Sequence, residues 1–243
     1  MRKMIDDLYL REVSLSSSHN SNYWCNLPFY KDLVKGNKMR FETPVTFLVG
    51  ENGCGKSTLL EAIAVSMGYN AEGGSKNFNF ATNDTTATLH NDIRLARVGY
   101  ESDGFFLRAE SFYNVATNIE ELNLNLSNYG GISLHDQSHG ESFLALIGNR
   151  FRGRGFYVLD EPEAALSPMG QLTLLVEIDR LVKDKSQFII ATHSPILITY
   201  SKAKIYRLDY GIQEIKYVET DHYQITKNFL NNPQNYLDKL LNN

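Results

Sequence analysis

Three short apolar runs frame this chain. Val45-Thr46-Phe47-Leu48-Val49 follows Pro44, Phe156-Tyr157-Val158-Leu159 ends at Asp160, and Phe188-Ile189-Ile190-Ala191 ends at Thr192. Runs this short, with almost no polar positions, read as strands buried on both faces. Elsewhere the period lengthens to that of a helix. Leu59, Leu60, Ile63 and Met67 predict a helix from Lys56 to Met67. Ser167 followed by Pro168 predicts a helix start, with Ser as N-cap and Pro at the first helical position. That helix should reach about Lys183, with Leu172, Leu175, Ile178 and Leu181 on one face. Glu141 to Gly148 reads as a shorter helix.

The flanks are less regular. Leu8 to Val13 alternates like a strand, and Phe105 to Arg108 is a short strand candidate. Lys204 to Leu208 and Gln213 to Val218 predict a hairpin around Tyr210-Gly211. Asp221 to Leu241 predicts helix with a break near Pro233. Ser14 to Asn22 and Ala71 to Thr86 read as loops, and Asn118 to Gly131 fits neither period. Strands alternating with helices predict an α/β fold with a mostly parallel sheet covered on both sides. We expect a single domain over 1–243, and find no repeats, low-complexity tract or heptad array.

Composition narrows the class. Net charge is −4, which argues against a protein that coats nucleic acid through charge alone. No apolar stretch is long enough to cross a bilayer, and Met1 to Asp7 lacks the apolar run of a signal peptide. The two cysteines, Cys25 and Cys54, lack metal-ligand spacing. A reduced cytoplasmic protein is the expectation.

Four constellations carry chemistry. The first is Gly50-Glu51-Asn52-Gly53-Cys54-Gly55-Lys56-Ser57, between a strand and a helix. Its glycines let backbone N–H groups from Asn52, Gly53, Cys54, Gly55, Lys56, Ser57 and Thr58 curl around phosphate, at the positive end of a helix. Lys56 would reach the β and γ oxygens and Ser57 would ligate magnesium, which implies ATP with Mg2+ as cofactors. The second is Asp160-Glu161 at the end of an apolar strand, where ligand sites in open α/β sheets lie. Asp160 can hold magnesium through water, and Glu161 can act as general base toward the water attacking the γ-phosphate. Glu163 reads as structural. The third is Thr192-His193-Ser194-Pro195, where a neutral imidazole would contact the γ-phosphate and orient that water. The fourth is Ser138-His139-Gly140-Glu141-Ser142 at a helix start, where Ser138 and Gly140 would expose N–H groups to an anion or, as its chemistry alone prefers, form a simple N-cap.

In this order, Gly50–Ser57, Ser138–Glu141, Asp160–Glu161 and His193 resemble the ATP-binding-cassette ATPase superfamily. Ser138 to Ser142 stands where that family carries its signature motif. Leu159 to Ser167 resembles its Walker B and D-loop, and Ala191 to Pro195 its switch histidine. The last has the form met in the SMC/RecF/OLD-like (AAA_21-like) branch. The resemblance covers about residues 45 to 200. It implies a P-loop NTPase fold with a mixed sheet, N-terminal antiparallel strands and a helical signature lobe at about 110–150. It also implies a head-to-tail homodimer with ATP sandwiched between the phosphate loop of one copy and the other copy's Ser138, Gly140 and Glu141. Hydrolysis would loosen this clamp.

Several positions depart from the family pattern. No Gln occurs from Ser57 to Asp136, where the family has its Q-loop, so Glu110 is the substitute candidate for a magnesium or water ligand. The signature lacks a double glycine, and the D-loop ends in Ser167 where Asp is common. These departures bear on the rate of hydrolysis rather than on nucleotide binding. Tyr23, Trp24, Phe29, Tyr30 and Arg11 are candidates to stack on adenine. Arg150, Arg152 and Arg154 form the densest basic cluster, read first as a solvated loop and otherwise as a nucleic-acid or partner contact.

The spacing from Ser57 to Ser138 is too short for a long coiled coil, so the expectation is a short form of that branch. By analogy it would be an ATPase clamp of a DNA-maintenance or anti-phage defence module with a separate effector chain. DNA or RNA is a possible further ligand, and no membrane partner is expected. The alternatives are the nucleotide-binding subunit of a transporter and a non-enzymatic ATP-gated interaction module.

Overall fold

A computed structural model describes residues 8–16, 22–76, 88–110, 112, 117, 133 and 136–241. The elements follow in chain order. They are β1 (Leu10–Leu15), α1 (Pro28–Val34), β2 (Met39–Arg40), β3 (Val45–Val49), α2 (Lys56–Met67), β4 (Ile93–Arg97) and β5 (Asp103–Arg108). Then come α3 (His139–Arg150), β6 (Gly155–Asp160), α4 (Pro168–Lys183), β7 (Gln187–Ala191), β8 (Ala203–Arg207) and β9 (Gln213–Ile215). The helices α5 (Asp221–Asn231) and α6 (Pro233–Leu241) follow, broken as expected at Pro233. The ambiguous stretch Asn118 to Gly131 and most of the expected helical lobe lie outside the described residues.

The larger sheet has the order β5-β6-β7-β3-β8-β9. It is parallel from β5 to β8, and β9 closes it as the antiparallel half of the expected hairpin. A smaller antiparallel sheet, β2-β1-β4, stands beside it. Every residue of β3, β6 and β7 is buried, as their unbroken apolar runs require. The side-chain period of two then sorts neighbours onto opposite faces. Tyr157 and Leu159 join Leu146, Leu174 and Ile178 of α3 and α4 on one face. Phe156 and Val158 join Leu60 and Ile63 of α2, and the core of the small sheet, on the other. Both faces are covered, so the functional chemistry is left to the strand ends.

The face of α4 differs from the expected one. Leu172 is exposed, and α4 instead buries Leu174, Ile178 and Leu181. The physical reason is the helical period. At about 100° per residue, Leu172 and Leu181 are roughly 180° apart and cannot share a face. Gln187, just ahead of the apolar run of β7, is fully buried. Its amide oxygen accepts from the backbone N–H groups of Tyr9 and Leu10 at 2.8 and 2.9 Å, and its amide donates to the Leu10 carbonyl at 2.8 Å. One polar side chain thus joins β1 to β7 where no strand pairing does so.

Candidate nucleotide site

The phosphate loop leaves β3 at Gly50 and enters α2 at Lys56. Gly53 and Gly55 have φ of 83° and 96°, in the left-handed region that glycine tolerates. A Cβ on Gly55 would lie 2.6 Å from both Leu27 and Phe29, so space as well as dihedral requires glycine there. A Cβ on Gly53 would meet nothing within 4 Å, so there the dihedral alone favours glycine. The loop is braced from behind, where Asp209 accepts from the Glu51 N–H at 2.7 Å. Lys56 is buried, and its Nζ donates to the carbonyls of Gly50 at 2.7 Å and Glu51 at 3.1 Å. The ammonium thus arches over its own loop. Burial pushes the Cys54 thiol up, which keeps it protonated, and neither cysteine forms a disulfide.

Asp160 ends β6 two strands away from the phosphate loop. The Ser57 hydroxyl donates to its Oδ1 at 3.1 Å. Burial pushes the Asp160 carboxyl up to about 6, against the opposing pull of Arg108 and Ser57. Burial wins because the guanidinium Nε is 3.7 Å from Oδ2, a long contact.

Arg108 was not among the sequence candidates. It ends β5 in register with Asp160, and its Nη1 donates to Glu61 at 3.1 Å. The signal was available, since Arg108 closes the same strand that led to Glu110. Glu110 itself stands with its side chain 87% exposed, 3.9 Å from Arg108. Arg108, not Glu110, is the group that reaches Asp160.

Glu161 has φ 48° and ψ 51°, a left-handed conformation that costs a non-glycine residue about 1 kcal/mol. Its N–H donates to the Ala191 carbonyl at 3.0 Å, which ties it to the end of β7. There the chain continues into Thr192 and His193. Glu163 is structural, as expected. Its carboxylate accepts from the Thr192 hydroxyl at 2.7 Å and the His193 N–H at 2.5 Å. Burial pushes the Glu163 carboxyl up. The His193 Nε2 lies 3.5 Å from Glu161 Oε1 and is buried without a hydrogen-bond partner. Burial, then Lys56 and His222, hold this imidazole below its usual range, so it is neutral at pH 7.

Ser138 and Glu141 form a full capping box on α3. Ser138 Oγ donates to Glu141 Oε2 at 2.6 Å, and the Glu141 N–H returns to Ser138 Oγ at 3.4 Å. Both are exposed. A Cβ on Gly140 would come within 3.0 Å of the Ala165 carbonyl, so the turn needs glycine to approach the segment after Glu161.

The aromatic candidates separate by burial. Trp24, Phe29 and Tyr30 are core, with Trp24 and Tyr30 donating to Asp92. Tyr23 is exposed, and its hydroxyl is 3.2 Å from that of Thr58 at the start of α2. In the basic cluster, Arg150 is paired with Asp103 at 2.8 Å at the opposite edge of the sheet, while Arg152 and Arg154 are exposed.

Among the described residues no group of three or more His, Cys, Asp or Glu side chains forms a metal cluster. The Ser57–Asp160 pair nevertheless fits magnesium, a hard cation that takes few protein oxygens and completes its shell with phosphate and water. The left-handed glycines Gly53 and Gly55 at the N-terminus of α2 fit a loop that takes phosphate. Among the described residues no helix is long and apolar enough to cross a membrane.

Residues 28–239 match the family model described as an AAA domain, AAA_23. The cobalt import ATP-binding protein CbiO of Salmonella typhimurium is 29% identical over 197 residues, 74% of this chain and 73% of that protein. Among solved structures, cbiO1 of Clostridium perfringens, part of the ABC transporter complex cbiONQ, superposes with a TM-score of 0.50 at 18% identity. The match covers 96% of this chain and all of that one. An inward-facing metal-chelate type ABC transporter does so with a TM-score of 0.50 at 16% identity, over 90% and 88%. This chain belongs to the AAA_23 family of AAA domains and has an α/β P-loop NTPase fold with a mixed sheet.

Proposed function

We propose that this chain hydrolyses ATP with Mg2+ at a site that two copies complete together, and that a separate chain receives the work. One observation carries the reading. Ser57 at the start of α2, Asp160 and Glu161 at the end of β6, and His193 after β7 meet beside the phosphate loop.

Each residue then has a role. Lys56 leaves the Gly50 and Glu51 carbonyls for the β and γ oxygens. Ser57 and Asp160 would hold a magnesium ion, which would neutralise charge on those oxygens. Glu161 takes the proton of the attacking water, and neutral His193 turns Nε2 to the γ-phosphate and that water. Tyr23, exposed beside Thr58, is the aromatic candidate that could meet the adenine. Ser138 and Glu141 are exposed on either side of Gly140, which suits contact with the γ-phosphate of a second copy. Glu110 is the weakest of the proposed magnesium ligands, since its carboxylate points to solvent beside Arg108.

The relatives favour a membrane transporter as the receiving chain, because those that match are named for cobalt import and for an ABC transporter complex. A specific observation favours the second reading, a clamp in DNA maintenance or defence. The segment expected to hold a transporter's Q-loop glutamine instead carries Arg108, turned to Asp160, and Glu110. Expression with the neighbouring genes separates the two. Co-fractionation with membranes, and turnover stimulated by the membrane chain alone, supports transport. Stimulation by DNA or RNA in a membrane-free fraction supports the clamp.

A further inference from the structure

A second imidazole stands at this edge, outside all the motifs. His222 is the second residue of α5, and its ring meets that of His193 edge to face, with centroids 4.8 Å apart and planes at 72°. The chain reaches this point after the β8–β9 hairpin, and a local cap places it. Thr220 is buried, donates to the Tyr217 carbonyl at 2.7 Å, and accepts from the Tyr223 N–H at 3.3 Å. The turn so fixed lines a small cavity together with Gly50, Glu51 and Asp209, directly behind the phosphate loop.

His193 needs such a neighbour. The Glu163 carboxylate fixes its backbone but not its ring. A buried Nε2 with no hydrogen bond gives the ring no polar anchor, and the terminal torsion of an imidazole is broad. Packing must therefore set the orientation. An edge-to-face contact is directional and supplies that constraint.

We propose that His222 is a positioning residue for hydrolysis: its ring holds the His193 imidazole with Nε2 turned to Glu161, so that turnover depends on the seating of α5. The proposal rests on the ATPase reading above and adds to it a residue that the motifs do not contain. The dependence on α5 has a physical basis. Neither α5 nor α6 contains a buried residue, and α5 meets the core through the half-buried Tyr223, so the pair is held mainly by its cap and edge contacts. A shift of α5 would release the His193 ring and leave the Lys56 and Ser57 side of the site intact.

The test uses the full chain with His222→Ala and His222→Phe, the latter keeping an aromatic face. Steady-state kinetics should show kcat reduced about tenfold in His222→Ala with the KM for ATP changed less than about twofold, and kcat largely restored in His222→Phe. Proton NMR of the nucleotide-free protein gives a readout independent of turnover. The His193 ring resonances, assigned by their loss in His193→Asn, should move toward unstructured values in His222→Ala and stay displaced in His222→Phe. An unchanged kcat and unchanged resonances in His222→Ala would overturn the proposal. So would a rise in KM alone, or equal loss of kcat in both variants. A wild type without turnover would instead overturn the ATPase reading, and the NMR arm would still decide the ring contact.

Discussion

The Ser57 hydroxyl and the Asp160 carboxylate meet at 3.1 Å although 103 positions separate them in the chain. The contact joins the first turn of α2 to the last residue of β6, with β7 seated between β6 and β3. It forms only when the parallel sheet is assembled in that order. The fold thereby delivers two hard oxygen donors to one point, beside a loop whose backbone suits phosphate.

The raised Asp160 carboxyl has a consequence for stability. Its value moves from 3.8 to about 6 through burial, so between those pH values the folded state holds a proton that the unfolded state has released. The stability this group contributes is present below about pH 4 and falls as pH rises through about 6. In thermal melts with EDTA and without nucleotide, Asp160→Asn should gain on wild type at about pH 7.5 relative to about pH 4.5. A variant that loses more at the higher pH would contradict this.

Arg108 pulls the same carboxyl down. Its removal should raise the acid limb of kcat/KM, which reports ionisation in the free enzyme, to higher pH. Arg108→Lys should move that limb less than Arg108→Ala. A limb unmoved in Arg108→Ala would separate Asp160 from the rate.

Ser138 carries two separable roles. Ser138→Ala removes a complete capping box and should cost about 1 kcal/mol in denaturant unfolding. Ser138→Asn keeps a capping side chain and should restore most of that stability. If the hydroxyl also meets nucleotide in a second copy, ATP-dependent dimerisation will be lost in both variants. Dimerisation retained in both would reduce Ser138 to its cap.

Much of this fold was legible because its signals are local. The apolar runs of β3, β6 and β7 and the bounds of α2 needed only period and burial. Ser167 before Pro168 marked the start of α4, and the Ser167 hydroxyl does accept from the Gly170 N–H. The face of α4 was misread because a spacing of three drifts around a helix of 3.6 residues per turn. Gly50 to Ser57 was legible because loop and chemistry share one segment. Arg108, Tyr23 and His222 were missed or left unresolved for the opposite reason. Their roles depend on which side chains the sheet order and the α5 cap bring together, and no spacing along the chain records that. Glu110 was proposed by position relative to a family pattern, whereas exposure and charge assign the contact with Asp160 to its neighbour two residues earlier.

The most direct test of the composite site is the mass of Glu161→Gln in solution with ATP and Mg2+, by gel filtration with light scattering. The account predicts a stable dimer retaining two ATP, with wild type dimerising only transiently and Lys56→Ala remaining monomeric with no bound nucleotide. A Glu161→Gln protein that stays monomeric with ATP, or a Lys56→Ala protein that dimerises as wild type does, would contradict the claim that two copies complete the site.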